Sequence, residues 1–165
     1  MVHLHLRSVA LAAALSATCV ATALASGTAD VSFTQPERYA DAGDTPAERD
    51  ANLQVLAVEL QSLAARLLPA DQALKIEVLD VDLAGRLRPT QRGNLRIQRN
   101  DNDPARITLR YTLSANGQVL RTSDAALTSL GKRKPSGAFP QQQPLAEEKS
   151  LLDAWFKKEF GAASS

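Results

Sequence analysis

A stripe of leucines in the first half of the chain limits the possible folds more than any other feature. Five leucines follow one another at alternating spacings of three and four residues: Leu53, Leu56, Leu60, Leu63 and Leu67. This spacing places them on one face of a helix. Thr45 fits the N-cap, Pro46 the first turn and Glu48 a capping box, while Pro69 ends the helix. An apolar face of this length must be buried against a second layer.

The second layer is predicted by segments in which apolar and polar residues alternate, as they do in strands that bury one face. Four segments have this character: 31–34, 74–85, 95–99 and 106–113. A last helix is predicted from about 145 to 160, and Gly161 ends it. The order β-α-β-β-β-α predicts an α+β fold, a two-layer sandwich in which two helices cover one face of a mostly antiparallel sheet.

The dipeptide Asn116-Gly117 predicts a tight hairpin, because both residues tolerate positive φ. A two-residue loop at this point places Leu113 opposite Leu120 and Thr112 opposite Arg121. The core face of the strand before the turn is then formed by four side chains: Ile107, Leu109, Tyr111 and Leu113.

Two carboxylates, Asp80 and Asp82, lie two residues apart in the strand 74–85 and therefore on one face of it. In a regular strand Ile76 and Val78 share that face. The opposite face is entirely apolar and is the better core face: Leu79, Val81 and Leu83. We therefore expect the aspartates on the polar face, in ion pairs with arginines of neighbouring strands: Arg96, Arg110 and Arg121. A carboxylate metal site or an acid-base pair is the alternative.

The first 25 residues differ in composition from the rest and predict a secretory signal peptide. One positive charge, Arg7, precedes an uncharged run that ends in Ala23-Leu24-Ala25, so cleavage is expected after Ala25. A retained membrane anchor fits less well because a polar segment follows directly, and lipid attachment at Cys19 lacks the usual preceding residues. We expect a periplasmic or secreted protein without stable membrane insertion after cleavage, with residues 26–165 as one domain.

Cleavage would remove both histidines, the only cysteine and the only methionine. The mature chain would then have no disulfide, no zinc, copper or haem site that uses imidazole or sulfur, and no Ser-His or Cys-His nucleophile. We therefore assign no catalytic, cofactor-binding or metal-ligating residue, expect no cofactor, and favour binding over catalysis.

The net charge argues against nucleic acid as a partner. Removing Arg7 from the 19 basic residues leaves 18, against 18 acidic residues. The distribution is uneven, since residues 27–82 carry 11 acidic and 4 basic side chains, whereas residues 83–121 carry 8 arginines and 2 aspartates. The simplest interpretation is that these two segments face each other in the fold, and a basic binding face is the alternative.

Three short motifs resemble functional sites but are incomplete. Asn100-Asp101-Asn102-Asp103 resembles the start of a calcium loop without its later Gly and Glu, so we expect an Asx-rich turn. Ser129-Leu130-Gly131-Lys132 matches the S-x-x-K of penicillin-binding enzymes without the companion motifs. Lys132-Arg133-Lys134 is a candidate contact for anionic lipid or lipopolysaccharide, although bases next to a mobile loop, predicted at 132–144, are usually only solvated.

Four segments together resemble a family of small exported bacterial proteins: VSFTQPERYAD, LPADQALKIEVLDVDLAG, LRIQRNDNDPARITLRYTLSANGQVLR and PLAEEKSLLDAWFKKEFG, in that order. It is the domain-of-unknown-function family numbered three thousand and sixteen, and DVDLAG and LLDAWF are its most distinctive elements. The resemblance spans nearly the whole of residues 26–165. It implies secretion and a single domain, and it brings no activity and no catalytic residue.

Members of that family often carry Trp-Arg-Gly after the DLAG strand and Arg-Tyr-Glu-Lys at the start of the last helix. This chain has Thr90-Gln91-Arg92-Gly93 and Ala146-Glu147-Glu148-Lys149 instead, so a ligand that depends on those residues would not be shared. We expect a non-enzymatic domain that binds or scaffolds an unidentified protein or ligand of the cell envelope. A small carboxylate-dependent hydrolase or cation-binding protein that uses Asp80 and Asp82 is the alternative.

Overall fold

The computed structural model describes residues 26–91, 93–97, 103–129 and 145–161. In chain order its main elements are β1 (Thr28–Phe33), α1 (Pro46–Leu67), β2 (Gln72–Asp82), β3 (Arg86–Thr90), β4 (Gly93–Ile97), β5 (Arg106–Ala115), β6 (Gln118–Thr128) and α2 (Ala146–Phe160). A 3-10 turn at Pro36–Arg38 follows β1. The predicted signal peptide, residues 1–25, and the predicted mobile loop, residues 132–144, lie outside the described residues.

Helix α1 begins and ends where local signals predict. The Glu48 amide donates a hydrogen bond to the Thr45 hydroxyl at 3.1 Å, and Pro46 occupies the first helical position. The Glu48 carboxylate reaches back to the amide of Asp44 at 2.9 Å, one residue before the cap. The predicted stripe is confirmed, with Leu67 partly buried and the other four leucines buried: Leu53, Leu56, Leu60 and Leu63.

Four strands form one sheet in the order β1-β2-β5-β6. Strand β1 runs parallel to β2, and α1 connects the two, whereas β2–β5 and β5–β6 are antiparallel pairs. Buried side chains of β2 and β5 lie in one cluster with the leucines of α1 and the aromatic residues of α2. The fold is therefore α+β, as predicted, and its main sheet is mixed.

The predicted element order is incomplete, because the described residues contain six strands where four were expected. For the part of the chain between β2 and β5, the sequence predicted a connection and then one strand of the main sheet. The structure has two strands instead, β3 and β4, which form a separate antiparallel sheet. Pro89 has no amide N–H and is unusual within a strand, which concealed β3; it lies opposite Asn94. The other additional strand is β6, the second arm of the Asn116-Gly117 hairpin.

A β-bulge in β2 changes which of its side chains are buried. The register against β5 shifts between Val78 and Asp80, so Leu79 is the extra residue. The buried side chains are Leu74, Ile76 and Val78 before the bulge and Val81 and Leu83 after it. Asp80 and Asp82 lie outside the core, as predicted. The assignment of Ile76 to the polar face and of Leu79 to the core is wrong, because it assumed an uninterrupted alternation.

The hairpin at Asn116-Gly117 is confirmed, with positive φ at both residues. Its register differs from the prediction because a second irregularity follows Leu113. Leu113 therefore pairs with Arg121, and Leu120 is exposed. The guanidinium carbon of Arg121 lies 5.3 Å from the centre of the buried Tyr111 ring, so the placement of Arg121 on the polar face is wrong.

Helix α2 supplies the aromatic part of the core. Its predicted apolar residues are all buried: Leu152, Trp155, Phe156 and Phe160. The rings of Trp155 and Phe160 lie 5.7 and 5.5 Å from that of Tyr111 in edge-to-face arrangements. Neither helix of the described residues combines the length and the hydrophobicity that a membrane crossing requires.

Candidate binding cleft at the end of strand β2

A polar cleft of about 280 Å³ opens where β2 ends and the chain turns at Gly85. Its walls come from the end of β2, the start of β3, the segment after β1 and the segment before β5. Charged side chains dominate the lining: Asp41, Asp82, Arg86, Asp103 and Arg106. Leu87 and Pro104 add a smaller apolar contribution.

Backbone hydrogen bonds hold these segments together. The chain after β1 rejoins β2 at Asp41, whose amide donates to the Val81 carbonyl at 3.0 Å and whose carbonyl accepts from the Leu83 amide at 2.9 Å. Gly85 has a φ of 82°, a value that favours glycine, and its amide donates to the carbonyl of Asp103 at 3.0 Å. The turn at Gly85 therefore brings three chain segments around one opening.

A bidentate ion pair lies next to this turn. Arg96 of β4 donates two hydrogen bonds to Asp41, each 2.8 Å long, and the two side chains are 23% and 22% exposed. Pairs of this geometry are stronger and more directional than single contacts between charges. Hydrogen bonding to Asp41 raises the pKa of Arg96 above its already high ordinary value, so this guanidinium stays charged.

Two further ion pairs at the cleft are more exposed. Arg106 of β5 contacts Asp82 at 3.0 Å, and Arg86 of β3 contacts Asp103 at 2.6 Å. The two arginine side chains are 56% and 72% exposed. Each guanidinium makes one hydrogen bond within the described residues, although it carries five N–H donors. Both arginines therefore present further donors at the cleft.

A buried carboxylate that sequence reasoning missed lies behind the cleft. Glu148, in the first turn of α2, is 3% exposed, and its Oε1 accepts a hydrogen bond from the Ala84 amide at 2.8 Å. Burial raises the pKa of the Glu148 carboxyl, while the backbone hydrogen bonds and the charge of Arg96 act in the opposite direction. Its spacing was the available signal, since Glu148 lies four residues before Leu152 and seven before Trp155 on the buried face of α2.

The predicted pairing of acids with arginines occurs, but the predicted partners are wrong. Asp82 pairs with Arg106, which lies opposite it on β5. Asp80 accepts a hydrogen bond from the Ala40 amide at 2.9 Å. The arginines expected to pair with these aspartates bind other carboxylates: Arg96 binds Asp41, Arg110 binds Asp124 and Arg121 binds Glu159. The alternative function loses support, because neither Asp80 nor Asp82 is without a partner.

Of the other sequence motifs, the structure describes only Asp103 and Ser129. Among the residues that the structure describes, no group of three or more His, Cys, Asp or Glu side chains is placed to hold a metal ion. The Ser129 hydroxyl accepts from the Ala105 amide at 3.0 Å and donates to Glu147, so it connects β6 to α2. The segments Asn100-Asp101-Asn102 and Lys132-Arg133-Lys134 lie outside the described residues.

Comparison with known proteins identifies one family. The model of a family described as protein of unknown function (DUF3016) matches residues 27–158. No curated protein matches the chain significantly. Among solved structures, a minor lipoprotein from Acinetobacter baumannii matches with 15% sequence identity and a TM-score of 0.25, over 81% of this chain and 88% of that chain. A likeness this weak does not establish a shared fold.

Proposed function

The chain belongs to the DUF3016 family of proteins of unknown function, and on this premise we propose that it is an exported, non-enzymatic binding domain of the bacterial cell envelope. The cleft at the end of β2 is the proposed binding site. It is concave and is lined by three separate stretches of the chain, 40–41, 82–87 and 103–106. Convergent polar groups of this kind fix the orientation of a bound ligand.

The pairing of every aspartate at the cleft with an arginine is the observation that carries this proposal. A catalytic acid or base needs a carboxyl that exchanges a proton with substrate, and a cation site needs carboxylates whose charge is not already neutralised. Carboxylates held in ion pairs meet neither requirement. They do keep hydrogen-bonding groups in fixed directions, which suits recognition of a ligand.

Support for export comes from residues 1–25, whose single early charge, uncharged run and Ala23-Leu24-Ala25 end have the composition of a cleavable signal. The full chain, expressed in a bacterial host and fractionated, should appear in the periplasm with Ser26 as its first residue. N-terminal sequencing and intact mass measure this directly. A cytoplasmic protein that retains Met1 would contradict the proposed location.

Capture from a native envelope extract tests the proposed binding. Residues 26–165 would be immobilised in three forms: the wild type, the double variant Arg86→Gln/Arg106→Gln, and Arg110→Gln. The last variant is a matched control, because Arg110 lies on the same strand as Arg106 but outside the cleft. Like Arg106, it forms an ion pair with an aspartate, Asp124. We expect mass spectrometry to find a component that the wild type and the control retain and the double variant loses. Equal retention by all three would overturn the proposal.

A further inference from the structure

We propose that the ligand of the cleft is a neutral saccharide unit that presents two adjacent hydroxyl groups. This inference rests on the proposed function, since it names the ligand class of the same site. The observations that lead to it are the charge balance of the cleft, the hydrogen-bonding groups left over by its ion pairs, and its size and apolar residues.

The charge balance favours a neutral ligand. Asp41, Asp82 and Asp103 are each matched by one guanidinium, so an approaching anion is attracted by the arginines and repelled by carboxylates a few ångströms further away. A cation meets the reverse arrangement. A net charge on the ligand therefore gains little at this site. A neutral polar ligand can use the spare hydrogen-bonding groups of the ion pairs without meeting a like charge.

The hydrogen-bonding groups left over by the two exposed pairs match a diol. Arg86 uses Nε to bind Oδ1 of Asp103, and Arg106 uses one terminal nitrogen to bind Oδ2 of Asp82. Within the described part of the chain, each guanidinium keeps spare N–H donors and each carboxylate keeps a spare oxygen beside them. A hydroxyl donates one hydrogen bond and accepts others, so neighbouring hydroxyls can bind a donor and an acceptor that lie side by side.

The size and the apolar residues of the cleft agree with a single sugar ring. At about 280 Å³ the cleft is slightly smaller than the roughly 300–1,000 Å³ of most small-molecule sites, so it suits one ring better than a long chain. Leu87 and Pro104 are half-buried residues in its wall and can contact the C–H face of a ring. The side-chain hydrogen-bond donors and acceptors of the cleft belong to its charged residues.

Titrations monitored by NMR of ¹⁵N-labelled residues 26–165 test the proposal. The neutral probes are N,N′-diacetylchitobiose, to represent cell-wall glycan, and maltose and methyl α-mannoside, to represent hexose-containing glycans. The anionic probes are inorganic phosphate and citrate. We expect at least one neutral probe to shift the amides of Gly85 and Leu87, with a Kd of about 1 mM. Because no charge is recognised, this Kd should stay within about twofold when NaCl is raised from about 0.05 to about 0.5 M.

Variants of Arg106 separate hydrogen-bond recognition from attraction between charges. Arg106→Gln should raise the Kd for the saccharide at least about tenfold, and Arg106→Lys should do the same, because lysine keeps the charge but loses the planar set of donors. Arg110→Gln should leave the Kd within about twofold. An unchanged one-dimensional spectrum dispersion shows in each case that the variant is folded.

The possible results also distinguish this inference from the proposed function. Salt-dependent binding of phosphate or citrate at Gly85 and Leu87, without saccharide binding, would overturn the saccharide and leave the cleft as a binding site. Saccharide binding that survives both Arg106 variants would place the ligand elsewhere and overturn the inference. An absence of shifts with every probe would overturn it as well, and capture from the extract that ignores the cleft would overturn the proposed function.

Discussion

The ionisation of Glu148 is coupled to folding, because its carboxyl is buried between α2 and the end of β2. The charged groups that act on it are Glu147 of its own helix and Arg96 of β4. Burial raises the pKa of Glu148 in the folded state above the ordinary 4.5 of the unfolded chain. Between the unfolded-state pKa and the folded-state pKa, the folded protein therefore binds more protons than the unfolded chain. This residue's contribution to stability therefore decreases as the pH rises through that window.

Replacement of Glu148 by glutamine should remove this pH dependence. Glu148→Gln keeps an oxygen for the Ala84 amide and carries no charge, so its free energy of unfolding at neutral pH should equal or exceed that of the wild type. The difference should shrink as the pH falls below the ordinary pKa of the carboxyl. Urea unfolding followed by the fluorescence of Trp155, the only tryptophan, measures both effects.

Glu148→Ala serves as the comparison. It leaves the Ala84 amide without its acceptor, which should cost about 1–3 kcal/mol of stability. If Glu148→Gln were as unstable as Glu148→Ala at neutral pH, attraction between the ionised carboxylate and Arg96 would outweigh burial, and the account of this residue would be wrong.

Tyr39 supports a second prediction, because its hydroxyl donates to the Val78 carbonyl at 2.7 Å, next to the bulge. Burial is the main cause that raises the pKa of Tyr39 from 10.0 to about 12. Tyr39→Phe should lose about 0.5–1.5 kcal/mol, toward the lower end because the Thr34 amide also donates to that carbonyl.

The alkaline behaviour of Tyr39 follows from the same shift. As the pH rises from 10.0 to about 12, the tyrosine ionises first in the unfolded chain, so the wild type loses stability over that interval. Tyr39→Phe should lose less, and the remaining decrease should reflect Tyr111, whose pKa is also raised by burial. Equal pH dependence of the two proteins in urea unfolding would contradict this assignment.

At the level of secondary structure, the bulge in β2 gives a paired test. Ile76 is fully buried, whereas Leu79 is the extra residue of the bulge and is only half-buried. Ile76→Ala should cost about 2–5 kcal/mol of unfolding free energy, as usual for a large side chain removed from a core. Leu79→Ala should cost about 1 kcal/mol or less. The reverse order would restore the uninterrupted alternation and exclude the bulge.

Local signals predicted both helices and four of the six described strands, and contacts between distant residues decided what could not be predicted. The capping residues of α1 and the turn at Asn116-Gly117 act over four residues or fewer, so their positions were predicted correctly. The bulge at Leu79 depends on pairing with β5 and on the return of the chain at Asp41. No pattern within β2 alone contains that information.

For the ion pairs too, the sequence predicted that pairs form but not which residues form them. A face carrying acids and a segment rich in arginine predicted that pairs would form, and five arginines of residues 83–121 form ion pairs among the described residues. Which acid meets which arginine depends on the neighbour relation between β2 and β5 and on the position of the separate hairpin β3–β4. Both are properties of the topology, which a single strand sequence does not determine.

The hairpin β3–β4 should be the least stable element of the described chain. A two-stranded sheet is marginally stable alone. This one is attached by the Arg96–Asp41 and Arg86–Asp103 ion pairs and by a hydrogen bond from Asn94 to Asp44 at 2.7 Å. Arg96→Lys keeps the charge but loses the bidentate geometry. We expect faster amide hydrogen exchange in residues 86–97 of this variant.

The control for that experiment is exchange in the main sheet. Amides of β2 and β5 should keep their protection in Arg96→Lys, because their hydrogen bonds belong to a different sheet. A uniform increase of exchange across all strands would mean that the hairpin is an integral part of the core and that its loss unfolds the whole domain.

For the whole molecule, family membership predicted from four segments is confirmed by the match over residues 27–158. The expected contact between the acidic and the basic segments is realised in part. Arg96 and Arg106 bind Asp41 and Asp82 of the acidic segment, whereas the other pairs use carboxylates outside it: Asp103, Asp124 and Glu159. Five of the eight arginines of the basic segment are therefore paired, with carboxylates from several parts of the fold.

A single core that joins both helices to the sheet predicts that residues 26–165 unfold as one unit. Leu63 of α1 and Phe156 of α2 are both fully buried members of the same cluster. Leu63→Ala and Phe156→Ala should each lower the stability by about 2–5 kcal/mol, while Val58→Ala, at a position that is 52% exposed, should change it by about 0.5 kcal/mol or less. In every variant, unfolding followed by far-UV circular dichroism and by Trp155 fluorescence should give coincident curves, as in a two-state transition. Curves that separate after only one of the two core substitutions would show that α1 and α2 stabilise different units, and would replace the single domain with two.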